Sequence, residues 1–402
     1  MGLAAAQTRC TLRATRVAVL TLAAPQDSTV SVKDEVVAQP EPPGQGAPPS
    51  PRAPAREERN GRPWHGYHHY RYSNGHSYAA LDLGTNNCRL LVAEPAPYGF
   101  RVMDAFSRIV RLGEGLGFAN RLGDAAIERT IEALRVCKNK MENRNAARAR
   151  LVATEACRLA DNGAAFVARV QDELGMELEV VDRRTEAYLA VTGCAALADP
   201  RAHSVVIFDI GGGSTEIAWL DGKAASPLAD PTKRIRAWDS LPVGVVTLAE
   251  RHGGIDVTRN NFEAMVEEVT DLLSPFELVA GAAAYLPEFH LLGTSGTVTT
   301  VGGIHLKLPR YDRRRVDGMW MNDSDVTQVI EDLLDTPFDR RALNPCIGRD
   351  RADLVLAGCA ILEAIRRAFP ADRLRIADRG LREGILMNLM REDGVWRRGG
   401  RG

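Results

Sequence analysis

No stretch of this 402-residue chain approaches the run of about 20 apolar residues that a membrane-spanning helix needs. A role inside a membrane is therefore not expected. The seven cysteines, at positions 10, 88, 137, 157, 194, 346 and 359, include no Cys-x-x-Cys pair and form no regular framework, which argues against a disulfide scaffold and for a reducing compartment. Net charge is also nearly absent. A formal value of −1 excludes wholesale binding to nucleic acid. Arginine is nonetheless clustered at 310, 313, 314 and 315 and again at 366, 367, 373 and 375, which suits either an anionic ligand or a solvated surface. Large apolar side chains are scarce between Pro40 and Pro54, so residues 1–77 are expected to be a disordered tail. Within it, Arg16–Ala24 imitates a secretory signal only weakly, its apolar core being short, and a cytoplasmic location is expected instead. The segment from Trp64 to His76 holds half of the eight histidines without Cys or carboxylate partners, and reads as a His/Tyr-rich linker rather than a metal site.

What the chain does have is 45% hydrophobic residues, enough for a large core in two or three domains, and one glycine-rich pattern written twice. The first copy is Leu81-Asp82-Leu83-Gly84-Thr85-Asn86-Asn87-Cys88-Arg89-Leu90-Leu91-Val92. The second is Phe208-Asp209-Ile210-Gly211-Gly212-Gly213-Ser214-Thr215-Glu216-Ile217-Ala218-Trp219. In each, a β-prone run ends near an Asp, a turn of small residues follows, and a second β-prone run begins at once. Glycines let the backbone approach a ligand and leave amides free for phosphate oxygens, while the carboxylate can hold a divalent cation. Two copies imply two similar half-domains with a phosphate chain between them.

The periodicity predicts strands at Tyr78–Leu83, Arg89–Ala93 and Phe100–Phe106, and a helix capped by Asp124 with Ile127, Ile131, Leu134 and Met141 on one face. A strand Arg150–Ala153, a helix Asp161–Leu174 and a strand Glu177–Val181 complete the first unit. The second opens with strands Ser204–Ile210, Thr215–Leu220 and Arg234–Asp239, followed by helices Val246–Arg251 and Asn261–Val279. A strand Phe289–Leu292 then feeds Gly293-Thr294-Ser295-Gly296-Thr297 and a helix, an anion-binding arrangement because the helix N-terminus offers unpaired amides. Helices Asp323–Leu334, Arg351–Phe369 and Gly380–Met390, with a strand Leu374–Ala377, close the chain.

Hydrolysis of a phosphoanhydride needs a cation on the phosphate oxygens, donors for the transferring group and a base for water. Asp82, Asp209 and Glu216 can supply metal ligands; Gly84, Thr85, Asn86, Gly211, Gly212, Gly213, Ser214, Thr215, Ser295, Gly296 and Thr297 can supply phosphate donors. Arg158, read as ending a strand where the loops gather, can grip phosphate bidentately. Glu186, in the first turn of a helix, can activate water or merely complement the helix dipole.

These residues resemble the exopolyphosphatase/guanosine pentaphosphate phosphohydrolase (Ppx/GppA) family. Asp82–Leu90 resembles its first phosphate loop, and Asp209–Glu216 matches its most diagnostic motif, Asp-Ile-Gly-Gly-Gly-Ser-Thr-Glu. The likeness continues through Ala153-Thr154-Glu155-Ala156-x-Arg158, Gly293-x-x-Gly296-Thr297-Val298-Thr299-Thr300, Leu356-Ala357-Gly358 and Gly380-Leu381-Arg382-Glu383-Gly384, covering about residues 78–392. It implies an α/β, actin-like fold of two ribonuclease-H-like lobes around a cleft. It further implies that Glu186 is the base, that Arg158 contacts phosphate, and that Asp209 and Glu216 bind magnesium; a potassium activator and a homodimer are left open. The lobes are expected at 78–186, joined by a C-terminal helix at 378–395, and at 187–377, with a tail at 396–402.

The chain departs from the family pattern at Thr185-Glu186-Ala187-Tyr188, where Glu-Glu-Ala-Arg is usual, and at Asn87, where Ser is common. It is expected to be the short form, without the C-terminal HD-type domain of long members. The leading expectation is a magnesium-dependent hydrolase of inorganic polyphosphate, guanosine pentaphosphate or both. A sugar kinase or chaperone-type ATPase on the same architecture, and an alarmone-binding sensor without turnover, are the competing readings.

Overall fold

The computed structural model describes residues 18–19, 76–97, 99–222 and 229–396. Of the expected tail, 1–77, and terminus, 396–402, and of the His/Tyr-rich segment from Trp64 to His76, residues 1–17, 20–75 and 397–402 lie outside the described residues, as does the signal-like run apart from the backbone of β1, Ala18–Val19; Ser77 opens β2, and Trp396 donates its Nε1 to the Ala96 carbonyl at 2.9 Å. The first sheet is built from β2 (Ser77–Leu83), β3 (Asn87–Ala96), β4 (Gly99–Ile109), β5 (Ala146–Ala153) and β6 (Glu179–Val180). Their order is β4-β3-β2-β5-β6, antiparallel across the meander and parallel from β2 outward. The second sheet contains β7 (Ser204–Ile210), β8 (Thr215–Asp221), β9 (Ile235–Leu241), β10 (His290–Thr294), β11 (Trp320–Asn322) and β12 (Arg373–Ala377). Its central order, β9-β8-β7-β10-β12, repeats the first with the same pairing senses, and β1 and β11 add antiparallel edges. The two half-domains implied by the motif are thus two copies of one topology, giving the α/β, actin-like architecture.

Helices Asp124–Asn143 and Gly163–Leu174 cover one face of the first sheet through Ile127, Ile131, Leu134, Phe166 and Val170. Asp124 is the first helical residue and not the cap, since the N-cap position falls on Gly123 without a side-chain bond. The other face carries helices Arg183–Cys194 and Leu381–Glu392, whose Leu189, Leu381, Ile385 and Leu389 pack on Tyr78, Ala80 and Leu91. Helix Arg183–Cys194 also meets the second sheet, because Val191 and Cys194 pack with Val205, Ile207 and Leu292. It therefore runs between the two sheets. Its contact with the last helix is close: a Cβ on Gly384 would fall 2.0 Å from the Leu189 carbonyl oxygen, so only glycine fits there. The largest core lies over the second sheet, where Phe208, Leu291 and Ile376 meet Phe276, Leu362 and Phe369 of the helices that cover it. No helix among the described residues is long and apolar enough to cross a membrane.

Candidate active site

The two glycine-rich turns are equivalent down to one hydrogen bond. Gly84 N–H donates to the Asn87 carbonyl at 2.9 Å, and Gly211 N–H donates to the Ser214 carbonyl at 2.9 Å. Asp82 pairs across the strands with Arg89, whereas Asp209 pairs with Glu216. The first pair balances its own charge. The second sets two carboxylates on adjacent strands, an unfavourable arrangement unless a cation sits with them. The turns also touch each other: a Cβ on Gly213 would lie 2.8 Å from Thr85 Oγ1, and one on Gly212 would lie 3.2 Å from the Asn86 nitrogen.

Around this junction is a cavity of about 500 Å³. Its walls include Asp82, Gly84, Thr85 and Asn86 from the first turn, Asp209, Gly211, Gly212, Gly213, Ser214 and Glu216 from the second, Ser295, Gly296 and Thr297, and Glu186. Two of the expected site residues stand behind the wall. Thr215 is fully buried and donates its hydroxyl to the Val243 carbonyl at 2.7 Å. Arg158 does not end a strand but lies in the short helix Glu155–Leu159, where Nη2 donates to Glu186 Oε2 at 3.1 Å and Nε to Glu155 Oε2 at 3.0 Å.

Two buried polar atoms on the cavity loops, Asn86 Oδ1 and Ser295 Oγ, have no hydrogen-bond partner in the structure. Ser295 also holds a left-handed backbone, φ 94°, at the N-cap of helix Gly296–His305. Strain of this kind costs on the order of 1–3 kcal/mol and collects at ligand sites. Replacing Ser295 by Gly is expected to raise the melting temperature while weakening binding of a phosphate-bearing ligand; an unchanged affinity in a titration would remove the hydroxyl from the site.

Five arginines also face the cavity: Arg89, Arg313, Arg351, Arg379 and Arg382. Burial pushes the Arg351 guanidinium below its usual range, aided by the neighbouring charge of Arg89, and burial does the same to Arg382. Arg351 donates only to the backbone carbonyls of Ile347, at 3.1 Å, and Cys346, at 3.2 Å. Arg313 is paired with Glu383 at 2.8 Å and Arg379 with Asp317, but Arg351 and Arg382 form no ion pair among the described residues, and buried cations of that kind suit a polyanion. Arg313 stood in an arginine cluster of the sequence, but Arg351 carried no local signal. Only the fold brings it to the first turn.

The carboxylates show the complementary effect. Burial, then the charge of Asp82, pushes Asp209 up to about 6. Burial, then Asp209, pushes Glu216 up to about 7, although Ser240 Oγ donates to its Oε1 at 2.9 Å. Glu186 is raised well above the usual carboxylate range by burial and then by Glu216, with Arg158 opposing. Among the described residues, Asp82, Asp209 and Glu216 form no ion pair, and no three His, Cys, Asp or Glu side chains converge as a ready-made ligand set. Carboxylates facing one another with Arg89 nearby but no ion pair of their own, short of a full protein cage, fit a magnesium ion, which keeps waters and shares phosphate oxygens. Asp209 and Glu216 would hold it, with Asp82 beside them.

A model of the Ppx/GppA phosphatase family matches residues 91–393. The chain belongs to the Ppx/GppA phosphatase family. The Ppx/GppA member from Aquifex aeolicus is 27% identical, with a TM-score of 0.64 over 79% of this chain and 98% of its own. An exopolyphosphatase-like protein is 26% identical, with a TM-score of 0.70 over 79% and 99%. An exopolyphosphatase from Cytophaga hutchinsonii, 21% identical with a TM-score of 0.70 over 79% and 98%, shares the fold. As a Ppx/GppA phosphatase, the chain places its two signature turns on either side of the cavity just described.

Proposed function

We propose that the chain is a magnesium-dependent hydrolase that releases terminal phosphate from inorganic polyphosphate or guanosine pentaphosphate. The observation that carries this reading is the Asp209–Glu216 carboxylate pair, set beside Glu186 in a cavity whose walls include the two glycine-rich turns and the arginines Arg351 and Arg382, which form no ion pair among the described residues. A kinase reading has no comparable support, since nothing in the cavity singles out a hydroxylated acceptor.

Bound magnesium supplies charge neutralisation on the phosphate oxygens. The amides of residues 85–86 and 212–214, with those at residues 295–297, orient the terminal phosphoryl group, while the expected donors Gly84 and Gly211 spend their N–H groups on the Asn87 and Ser214 carbonyls that close the turns, and Arg89, Arg351 and Arg382 offset the charge of the rest of the anion. Glu186 Oε2 is held by Arg158 while Oε1 makes no hydrogen bond, so Oε1 is the atom that accepts the proton of the attacking water. Burial keeps that carboxylate basic. Arg158 serves this reading by steadying the base, and any contact it makes with phosphate requires it to give up a present partner. The six described cysteines are unpaired, in keeping with the reducing, cytoplasmic setting this reading assumes.

Phosphate release from long polyphosphate, short polyphosphate and guanosine pentaphosphate, compared side by side with magnesium present, tests the reading. Release from at least one substrate supports it; release from none, with ATP turnover that depends on a hydroxylated acceptor, replaces it by the kinase. Deleting residues 1–70 removes only the two-residue edge strand β1 from the described sheets and is expected to leave both turnover and melting temperature close to those of the full chain, because among the described residues every side chain of the apolar cores lies at or beyond Tyr78. An insoluble or inactive truncation would show that the tail shapes the lobes.

A further inference from the structure

Glu155 has no place in the scheme above, yet it is only 2% exposed and sits among the groups that scheme uses. Its Oε2 accepts from Arg158 Nε at 3.0 Å and from Arg158 Nη2, and its Oε1 accepts from Arg183 Nη2 at 2.8 Å. Arg158 completes its fork by donating Nη1 to the Val181 carbonyl at 2.6 Å and Nη2 to Glu186 Oε2 at 3.1 Å. Arg183 opens the helix that carries Glu186, capped by Asp182, whose side chain accepts from Thr185 N–H at 2.7 Å. One carboxylate thus ties the helix of Arg158 to the helix of Glu186. Its stem also borders the second phosphate turn, for a Cβ on Gly213 would come within 3.2 Å of Glu155 Cγ.

We infer, on the reading that Glu186 is the base, that Glu155 is a positioning residue that divides the Arg158 guanidinium between two carboxylates. A guanidinium left to itself beside one carboxylate takes both oxygens in a bidentate fork. With Glu155 holding Nε and one hydrogen of Nη2 and the Val181 carbonyl holding Nη1, only the second hydrogen of Nη2 remains for Glu186, so Oε2 is fixed and Oε1 stays open to water. The negative charge of Glu155 also balances two arginines that would otherwise both turn toward Glu186. The helical spacing of Glu155 and Arg158, one turn apart, makes the division possible.

Glu155→Gln keeps the volume and removes the charge. Arg158 then closes on both oxygens of Glu186, so kcat for phosphate release from polyphosphate is expected to fall about 10- to 100-fold, the scale of a misplaced catalytic group, while KM stays within about threefold. Glu155→Asp, which keeps the charge, is expected to recover most of the lost kcat. Should Glu155→Gln fail to fold, Arg183→Gln upsets the same division from the other side, freeing Glu155 Oε1 to take Arg158 more fully and drawing Nη2 off Glu186 Oε2; a smaller loss of kcat is expected, and an unchanged kcat would overturn the inference. An unchanged kcat in folded Glu155→Gln, or equal losses in the Gln and Asp variants accompanied by a lower melting temperature, would overturn the inference and leave a structural ion pair. The wild-type chain is assayed in parallel: if it releases no phosphate, the hydrolase reading fails and this inference with it, whereas an active wild type with an equally active Glu155→Gln defeats the inference alone.

Discussion

Replacing Glu186 by Gln is expected to lower phosphate release by roughly 10²–10⁴-fold while leaving the fold and anion binding nearly intact. The substitution keeps the volume of a buried side chain and one acceptor for Arg158 Nη2, so the helix start and its Asp182 cap should not move. What it removes is the only carboxylate oxygen of that residue left without a partner, on a group whose burial and nearness to Glu216 raise its proton affinity. An amide cannot take the proton of water. Circular dichroism and a melting curve check the fold, and steady-state phosphate release checks the role. Turnover within a fewfold of wild type would take Glu186 out of the mechanism.

The second large effect comes from Asp209→Asn, which is expected to move activity and stability in opposite directions. Losing one of two facing carboxylates weakens the cation site, and electrostatic help worth several kcal/mol corresponds to a loss of about 10²-fold or more at low magnesium. Without metal the same change relieves repulsion. The Asp209 carboxyl stays protonated in the folded chain up to about pH 6 but ionises near its ordinary value when unfolded. The folded state therefore binds more protons between these values, and wild-type stability in chelator falls as pH rises through that window. Above it a penalty on the order of 3 kcal/mol remains, which the amide does not carry. In EDTA at pH 8 the variant should melt higher than wild type, the gap should close below pH 4, and magnesium should raise the melting temperature of wild type alone. A variant that melts lower at pH 8, or that still responds fully to magnesium, would contradict the cation assignment.

The sequence made the turns legible because each is local: an Asp, small residues and a second β-prone run suffice to define a hairpin and its outward amides. Even the duplication was visible, and the shared order β4-β3-β2-β5-β6 and β9-β8-β7-β10-β12 is its structural form. Element ends were less legible. The strand expected at Glu177–Val181 is reduced to Glu179–Val180, and Arg158, expected at a strand end, enters a helical turn because Glu155 and Ala156 follow Thr154 without a breaker. Least legible were groups assembled by tertiary contact. Arg89, Arg351 and Arg382 lie on distant segments, and no spacing rule links them. The same holds for Glu155, which reads as an ordinary first-turn acid until Arg183 is seen on its other oxygen.

In the proposed reaction a cation held by Asp209 and Glu216 and a base at Glu186 act together on a phosphate chain. Orthophosphate release from inorganic polyphosphate by the full chain, followed as magnesium is titrated from chelator upward, tests it most directly. No release in chelator and a saturable rise with magnesium are expected; release that is independent of magnesium, or absent for both polyphosphate and guanosine pentaphosphate at every concentration, would rule out this joint action.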